Sequence, residues 1–219
     1  MEFSEAVELF ERTLSTERDR PDVHAAMRDL AVPDTIAVVS EQIHQALARG
    51  ERVWMTADLH IGHANIIPFC NRPFGNVQQM NEHLVSQTLK VEDDEWLIIV
   101  GDLAMGDHEE AMAWIRRIPG YKVLVLGNHD LRRNGECRYT SELAHGGQRP
   151  LFEAVVPFLH WRGAGGQDVF VSHYPASDEH RASRLVNYHG HLHREVLPPS
   201  NNTHFVNVGW DVTQGLVCL

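Results

Sequence analysis

The sequence is poor in the residues that would staple a small fold together or hold it to a polyanion. It has three cysteines, Cys70, Cys137 and Cys218, with no C-x-x-C spacing among them. Their odd number and scattered positions argue against a disulfide framework or a cysteine-rich zinc site, and suit a reducing compartment. Lysine occurs only at positions 90 and 122, and 19 basic residues face 30 acidic ones for a formal charge of −11. A field of that sign repels long polyanions, so broad duplex binding is disfavoured. No apolar run approaches the roughly 20 residues that span a bilayer. The acidic opening Met1-Glu2-Phe3-Ser4-Glu5 is unlike the basic start of a secretion signal. Together these features predict a cytoplasmic, unanchored protein.

Histidine is what the chain has in excess, with 15 in 219 residues. That is more than a core needs, and imidazole is the commonest metal ligand and the usual acid or base near neutral pH. The remaining composition, 43% hydrophobic and 22% charged, is that of a globular protein. A chain of this length buries roughly 70% of its extended surface, enough for a core without staples.

Residues 1–50 read as helices. Phe3, Ala6, Val7, Phe10 and Leu14 share one helical stripe, as do Ile36, Val39, Ile43 and Leu47. Pro33 suits a first turn, Gly50 a C-cap, and Pro21 opens a shorter helix between them. From residue 52 short apolar runs take over. Residues 52–57, 96–100, 121–126 and 169–172 read as buried strands. A helix capped by Asn76 and running through Lys90, and another over 111–118 behind an Asp107/Glu110 capping box, alternate with the first three. Further strands are predicted over 151–156, 157–162, 167–172 and 203–208, with a hairpin turn at 163–166. The expected organisation is a helical N-terminal extension over 1–50 and one α/β catalytic domain over 51–219.

Ligands of open α/β sheets bind beyond the carboxyl ends of the strands. There the sequence places Asp58-Leu59-His60, Gly101-Asp102, Gly127-Asn128-His129-Asp130, Ser172-His173 and later Gly190-His191-Leu192-His193. In extended backbone, alternate residues face one side, which would pair Asp58 with His60 and His191 with His193. Carboxylates, imidazoles and the Asn128 amide, with no thiolate, suit Mn²⁺, Fe or Zn²⁺. Seven candidate ligands, Asp58, His60, Asp102, Asn128, His173, His191 and His193, are too many for one four-coordinate ion. They suit two ions about 3.5–4 Å apart, the arrangement that clamps attacking and leaving oxygens in phosphoryl transfer.

In this order, D-x-H, G-D, G-N-H-D, S-H and G-H-x-H resemble the blocks of the calcineurin-like metallophosphoesterase superfamily, over about residues 52–211. The opening from Asp58 to Ile67 is similar to its small bacterial and phage-type branch. The resemblance implies a four-layer α/β sandwich with two mixed β-sheets, and a dinuclear centre of two divalent transition-metal ions, Mn²⁺ ahead of Fe or Zn²⁺. By the same resemblance, Asp58, His60 and His193 hold one ion, Asn128, His173 and His191 the other, and Asp102 bridges. His129 is then the general acid and Asp130 orients its ring. The implied reaction is hydrolysis of a phosphate mono- or diester by in-line attack of a metal-bridging hydroxide. The helices of residues 1–50 have no counterpart in the resemblance, which leaves them as a packed extension or as a homo-oligomerisation or partner-binding element.

His63, Asn65 and Arg72 follow the first block, where they would touch phosphate oxygens, Arg72 through its fork. Tyr174 lines the pocket or simply packs. His83, His108, His145, His160, His180 and His204 are expected at the surface or in the core, and His189 stands next to the last block without a set role. The acidic balance favours a small phosphate ester or nucleotide over long nucleic acid, with no membrane partner. A non-catalytic scaffold on the same fold is the alternative, although such a relative is expected to lose ligands. A metallo-β-lactamase type hydrolase, which uses H-x-H-x-D-H on one loop, does not fit, because His191-Leu192-His193 continues as Arg194-Glu195.

Overall fold

Trp96-Leu97-Ile98-Ile99-Val100 shows how these residues build the centre of the molecule, with Leu97 to Val100 completely buried. A β-branched run buried on both faces is the mark of a parallel strand covered from two sides. The computed structural model describes residues 1–18, 21–132, 134–144, 147, 149–177, 183–200 and 202–219. Its elements in order are α1 (Phe3–Thr16), α2 (Pro21–Asp29), α3 (Pro33–Ala48), β1 (Val53–Thr56), α4 (Ile66–Phe69), α5 (Val77–Thr88), β2 (Trp96–Val100), α6 (His108–Ile115), β3 (Tyr121–Val125), β4 (Ala154–Val156), β5 (Phe158–Arg162), β6 (Asp168–Ser172), β7 (Leu185–His189), β8 (Thr203–Asn207), α7 (Trp210–Thr213) and β9 (Val217–Cys218).

The strands form two mixed sheets. One has the order β4-β3-β2-β1-β9, parallel except for the short edge strand β9; the other has the order β5-β6-β7-β8, with β5 antiparallel to β6 and the rest parallel. Asn76 caps α5 by accepting the Gln79 amide, and Asp107 caps α6 by accepting that of Glu110. The β5–β6 hairpin closes over residues 163–166, where Gly165 and Gly166 take positive φ.

Strand β7 escapes the sequence reading because Asn187, a residue depleted in strands, sits at its middle. Its amide is buried and fully occupied, donating to Phe170 O and Ser172 Oγ and accepting from the Ala176 amide at 2.8 Å. Strand β9 has only two residues and no pattern to read.

The N-terminal helices turn their apolar stripes inward. Helix α3 packs on β5 and β4, and α1 lies beside it on β5, where Phe10 meets Phe158 with ring centroids 5.0 Å apart. Leu9, Leu14, Ile36 and Ile43 are fully buried in the same apolar cluster as both sheets. Each such side chain contributes about 1.5–3 kcal/mol relative to exposure. Among the described residues no helix is long and apolar enough to cross a membrane.

Backbone hydrogen bonds stitch the carboxyl ends of the two sheets together. Ala57 N donates to Val208 O, Trp210 N to Ala57 O, Val208 N to His189 O, and Gly190 N to His173 O, all at 2.8–3.1 Å. Every polar block singled out in the sequence follows a strand that ends at this seam or beside it.

Candidate metal centre

The loop after β1 runs alongside the loop after β2. Asp58 N donates to Gly101 O, His60 N to Asp102 O and Ile61 N to Leu103 O, each at 3.0 Å. Asp130 fastens the loop after β3 to the same place, its buried carboxylate accepting from the amides of Asp102, Leu103 and Gly127 at 2.8–3.0 Å. The loop after β7 closes the ring, because the His191 amide donates to the Asp58 carboxylate. At Gly101, φ is +81° and a Cβ would stand 2.4 Å from His173 Nδ1; at Gly190 it would stand 2.6 Å from Asp58 Oδ2. Only glycine permits these approaches.

Asp58, His60, Asp102, His191 and His193 all have φ between +50° and +68°. The backbone here is therefore not extended, so the alternate-side rationale fails even though Asp58 and His60 do come together. The ligating side chains are aimed by left-handed residues in tight loops, a conformation uncommon outside glycine that concentrates at functional sites.

The side chains converge all the same. Ligand atoms of Asp58, His60 and His193 lie within 4.8 Å of one another, as do those of Asp58, Asp102 and His173. Asp102 Oδ2 stands 3.6 Å from His60 Nε2 and 3.5 Å from His173 Nε2, between the two groups. Asn128 Oδ1 is 3.2 Å from His173 Nε2. The His191 ring lies 5.2 Å from that of His173 and 4.8 Å from that of Tyr174. Its Nε2 is 3.7 Å from Glu17 Oε2, at the C-terminal end of α1.

Several of these groups are arranged as a cation among them would need. Both ring nitrogens of His60 are buried with no hydrogen-bond partner. Burial pushes the His60 pKa down to about 3, so its ring is a neutral imidazole with a lone pair to give. His173 Nδ1 is 3.0 Å from Val100 O and donates to it, which leaves the Nε2 lone pair facing Asn128 Oδ1 and Asp102 Oδ2. Burial, and next the charge of Asp102, raise the pKa of Asp58 well above the ordinary carboxylate range. A divalent ion between two such carboxylates removes the conflict. The donor set, oxygen and imidazole nitrogen without thiolate, fits Mn²⁺, Fe or Zn²⁺.

His193 is held from behind. Its Nδ1 donates to Asp211 Oδ2 at 2.9 Å, leaving Nε2 for a metal. Burial opposes ionisation of Asp211, but the bonds from His193 and Arg72 outweigh it and bring the carboxyl to about 2.

Arg72 does not serve the phosphate-contacting role expected of it. Its side chain is fully buried; Nε and Nη2 grip Asp211, while Nη1 and Nη2 donate to the carbonyls of Leu59 and Asp58. A guanidinium so engaged has no face left for substrate. Asp130 likewise does not orient His129, since its oxygens accept the three backbone amides named above. His129 is fixed through its own amide, which donates to Asp102 Oδ1, and its half-exposed ring puts Nε2 3.9 Å from Asp102 Oδ2. His63 is half-buried beside His60, with ring centroids 5.5 Å apart, and Asn65 is exposed at the start of α4.

Asp211 and Glu17 are the residues that sequence reasoning missed. Asp211 had a signal, since Val208-Gly209-Trp210-Asp211 is a sixth polar strand end. Glu17 had none. Among the other histidines, His108 pairs with Glu142, His83 meets Trp210 edge-on, His160 lies tilted against Phe158, and His204 is exposed. His189 is buried, with Nδ1 against Gly190 O. His145 and His180 lie outside the described residues.

A profile of the family described as calcineurin-like phosphoesterase matches residues 51–211. The chain belongs to this family. The chain is 28% identical over 188 residues to the Gene 66 protein of Mycobacterium phage D29, covering 75% of this chain and 90% of the phage protein. The Gene 66 protein of Mycobacterium phage L5 is 31% identical over 166 residues, 66% of this chain and 78% of that protein. These phage relatives fit the small phage-type branch of the calcineurin-like phosphoesterases. The fold is shared with a solved protein of unknown function from Aquifex aeolicus, at a TM-score of 0.56 and 19% identity, over 76% of this chain and 95% of that one. Helices α1 to α3 lie outside the calcineurin-like profile.

Proposed function

We propose that the protein is a cytoplasmic, dinuclear metal-dependent phosphoesterase acting on a small phosphate mono- or diester, a nucleotide among the candidates. The observation that carries this reading is the place of Asp102, whose Oδ2 lies between His60 Nε2 and His173 Nε2 and beside His129. Asp58, His60 and His193 would hold one ion, Asn128, His173 and His191 the other, with Asp102 common to both. When bound, two divalent ions supply Lewis-acid charge for a phosphoryl group and make a water molecule acidic enough to attack near neutral pH.

The protein's own groups do the rest. Gly101 and Gly190 let the loops close until the carboxylates meet. Arg72 and Asp211 orient His193, and Val100 O orients His173. His129 stands outside the ligand set with its ring at the site's edge, where Nε2 can protonate a leaving oxygen. The acidic surface keeps long polyanions away, so the cationic charge of the centre acts on a small anion.

The test is metal analysis joined to a substrate panel. Protein supplemented with Mn²⁺ should carry close to two ions per chain and hydrolyse at least one of p-nitrophenyl phosphate, bis-p-nitrophenyl phosphate, 2′,3′- and 3′,5′-cyclic nucleotides, or short oligonucleotides. Metal-free protein after Mn²⁺ supplementation would reject the dinuclear centre, and a fully loaded protein inert on the whole panel would reject the activity.

A further inference from the structure

We infer that Glu17, on the N-terminal extension, is a functional part of the metal centre: it supplies the carboxylate on the side of His191 that the calcineurin-like blocks leave without one. The inference rests on the proposed dinuclear reading and assigns a role to residues that lie outside the family profile.

The geometry comes first. Glu17 is the C-cap of α1, its side chain mostly buried, and its Oε2 is 3.7 Å from His191 Nε2. The position is held by packing. One turn earlier on the same helix face, Thr13 Oγ1 accepts the Ser177 amide at 3.1 Å, which ties α1 to the loop that carries His173. Phe10 and Leu14 anchor the helix in the core. From α2, the His24 ring meets Tyr174 edge-on at 6.2 Å, and Tyr174 backs the rings of both His173 and His191. The extension is thus docked on the half of the site formed by the second sheet.

Charge makes the placement meaningful. The group Asp58, His60 and His193 contains its own carboxylate besides the shared Asp102. The group Asn128, His173 and His191 is neutral apart from that same Asp102. A divalent ion on the neutral side would be held by less negative charge than its neighbour and is also repelled by it. Glu17 adds one negative charge on that side, from an oxygen donor of the kind Mn²⁺ prefers.

The experiment is calorimetric titration of metal-stripped full-length protein with Mn²⁺, comparing wild type with Glu17→Gln and Glu17→Asp. Two binding steps are expected for wild type. Glu17→Gln should weaken one step by roughly tenfold or more and leave the other unchanged, with an unaltered thermal midpoint of the metal-free protein. Glu17→Asp should fall between the two. Equal affinities for both ions in wild type and Glu17→Gln would overturn the assignment, as would a uniform weakening of both steps or a lowered metal-free midpoint, which would mark Glu17 as structural. Fewer than two sites in wild type would refute the dinuclear reading itself and remove the Glu17 assignment with it.

Discussion

Arg72 and Asp211, 139 residues apart in the chain, form a bidentate pair at 2.8 and 2.9 Å that joins the first ligand block to the last. The same guanidinium holds the carbonyls of Asp58 and Leu59, and the same carboxylate accepts from His193 Nδ1. One buried ion pair therefore sets the position of the Asp58 loop and the tautomer of His193. Outer partners of metal-bound histidines are worth about 10–100-fold in affinity or activity. Asp211→Asn is expected to weaken the ion held by His193 by roughly that factor and spare the other. Titration of stripped protein with Mn²⁺ reads this as one shifted step out of two. Arg72→Lys keeps the charge but loses the fork, so it should show the same asymmetry together with lower thermal stability.

His129 makes no side-chain hydrogen bond in the described structure that would tie it into the ligand set, and its ring is half-exposed. His129→Gln should keep both metal ions. It should lose about 10²–10⁴-fold in kcat on esters with poor leaving groups and much less on nitrophenyl esters, whose leaving group needs no proton. Steady-state kinetics on one substrate of each kind checks the split, and wild-type rates on an alkyl ester would remove His129 as the acid.

Asp130 holds three backbone amides rather than the His129 ring, so its loss should be structural. Each buried amide stranded without a partner costs about 1–3 kcal/mol. Asp130→Ala is expected to unfold at markedly lower denaturant concentration and to lose metal, because the loops carrying Asp102 and Asn128 are no longer held together. A variant with wild-type stability and an altered pH profile would instead restore the ring-orienting role.

The strand-end rule made the site legible because a buried apolar run that stops at a polar residue is visible in one dimension. It marks the blocks around Asp58, Asp102, Asn128 and His173, whereas the His191 block stands out only by its own G-H-x-H pattern, because the strand before it is hidden. What it could not show was how those residues are aimed: left-handed backbone at Asp58 and His193 is a property of loops pressed against one another, not of a two-residue period. Arg72 illustrates a second limit. A guanidinium fork matches carboxylate as well as phosphate, and its partner lay beyond the last recognised block. Asn187 concealed β7 because its polar amide is satisfied by the neighbouring strand β6 and the loop that follows it. Glu17 reaches the centre solely through the packing of α1 on β5, which no local pattern in residues 1–50 announces.

Lys122 supplies a pH signature independent of the metal centre. It is a buried residue of β3, and Nζ donates to Ile118 O at 2.8 Å and Gly120 O at 3.3 Å. Burial, with Arg149 acting in the same sense, pulls its pKa from 10.5 down to about 8. The unfolded chain therefore binds this proton more tightly than the folded one. Between about pH 8 and pH 10.5 the unfolded state carries more of the proton, so raising the pH stabilises the fold through this group. Lys122→Met removes the titration and keeps most of the stem. Urea unfolding of both proteins at about pH 7 and about pH 10 should show wild type gaining stability relative to the variant at the higher pH. A difference that stays constant or reverses would mean that Lys122 is not held in the folded state with a lowered pKa.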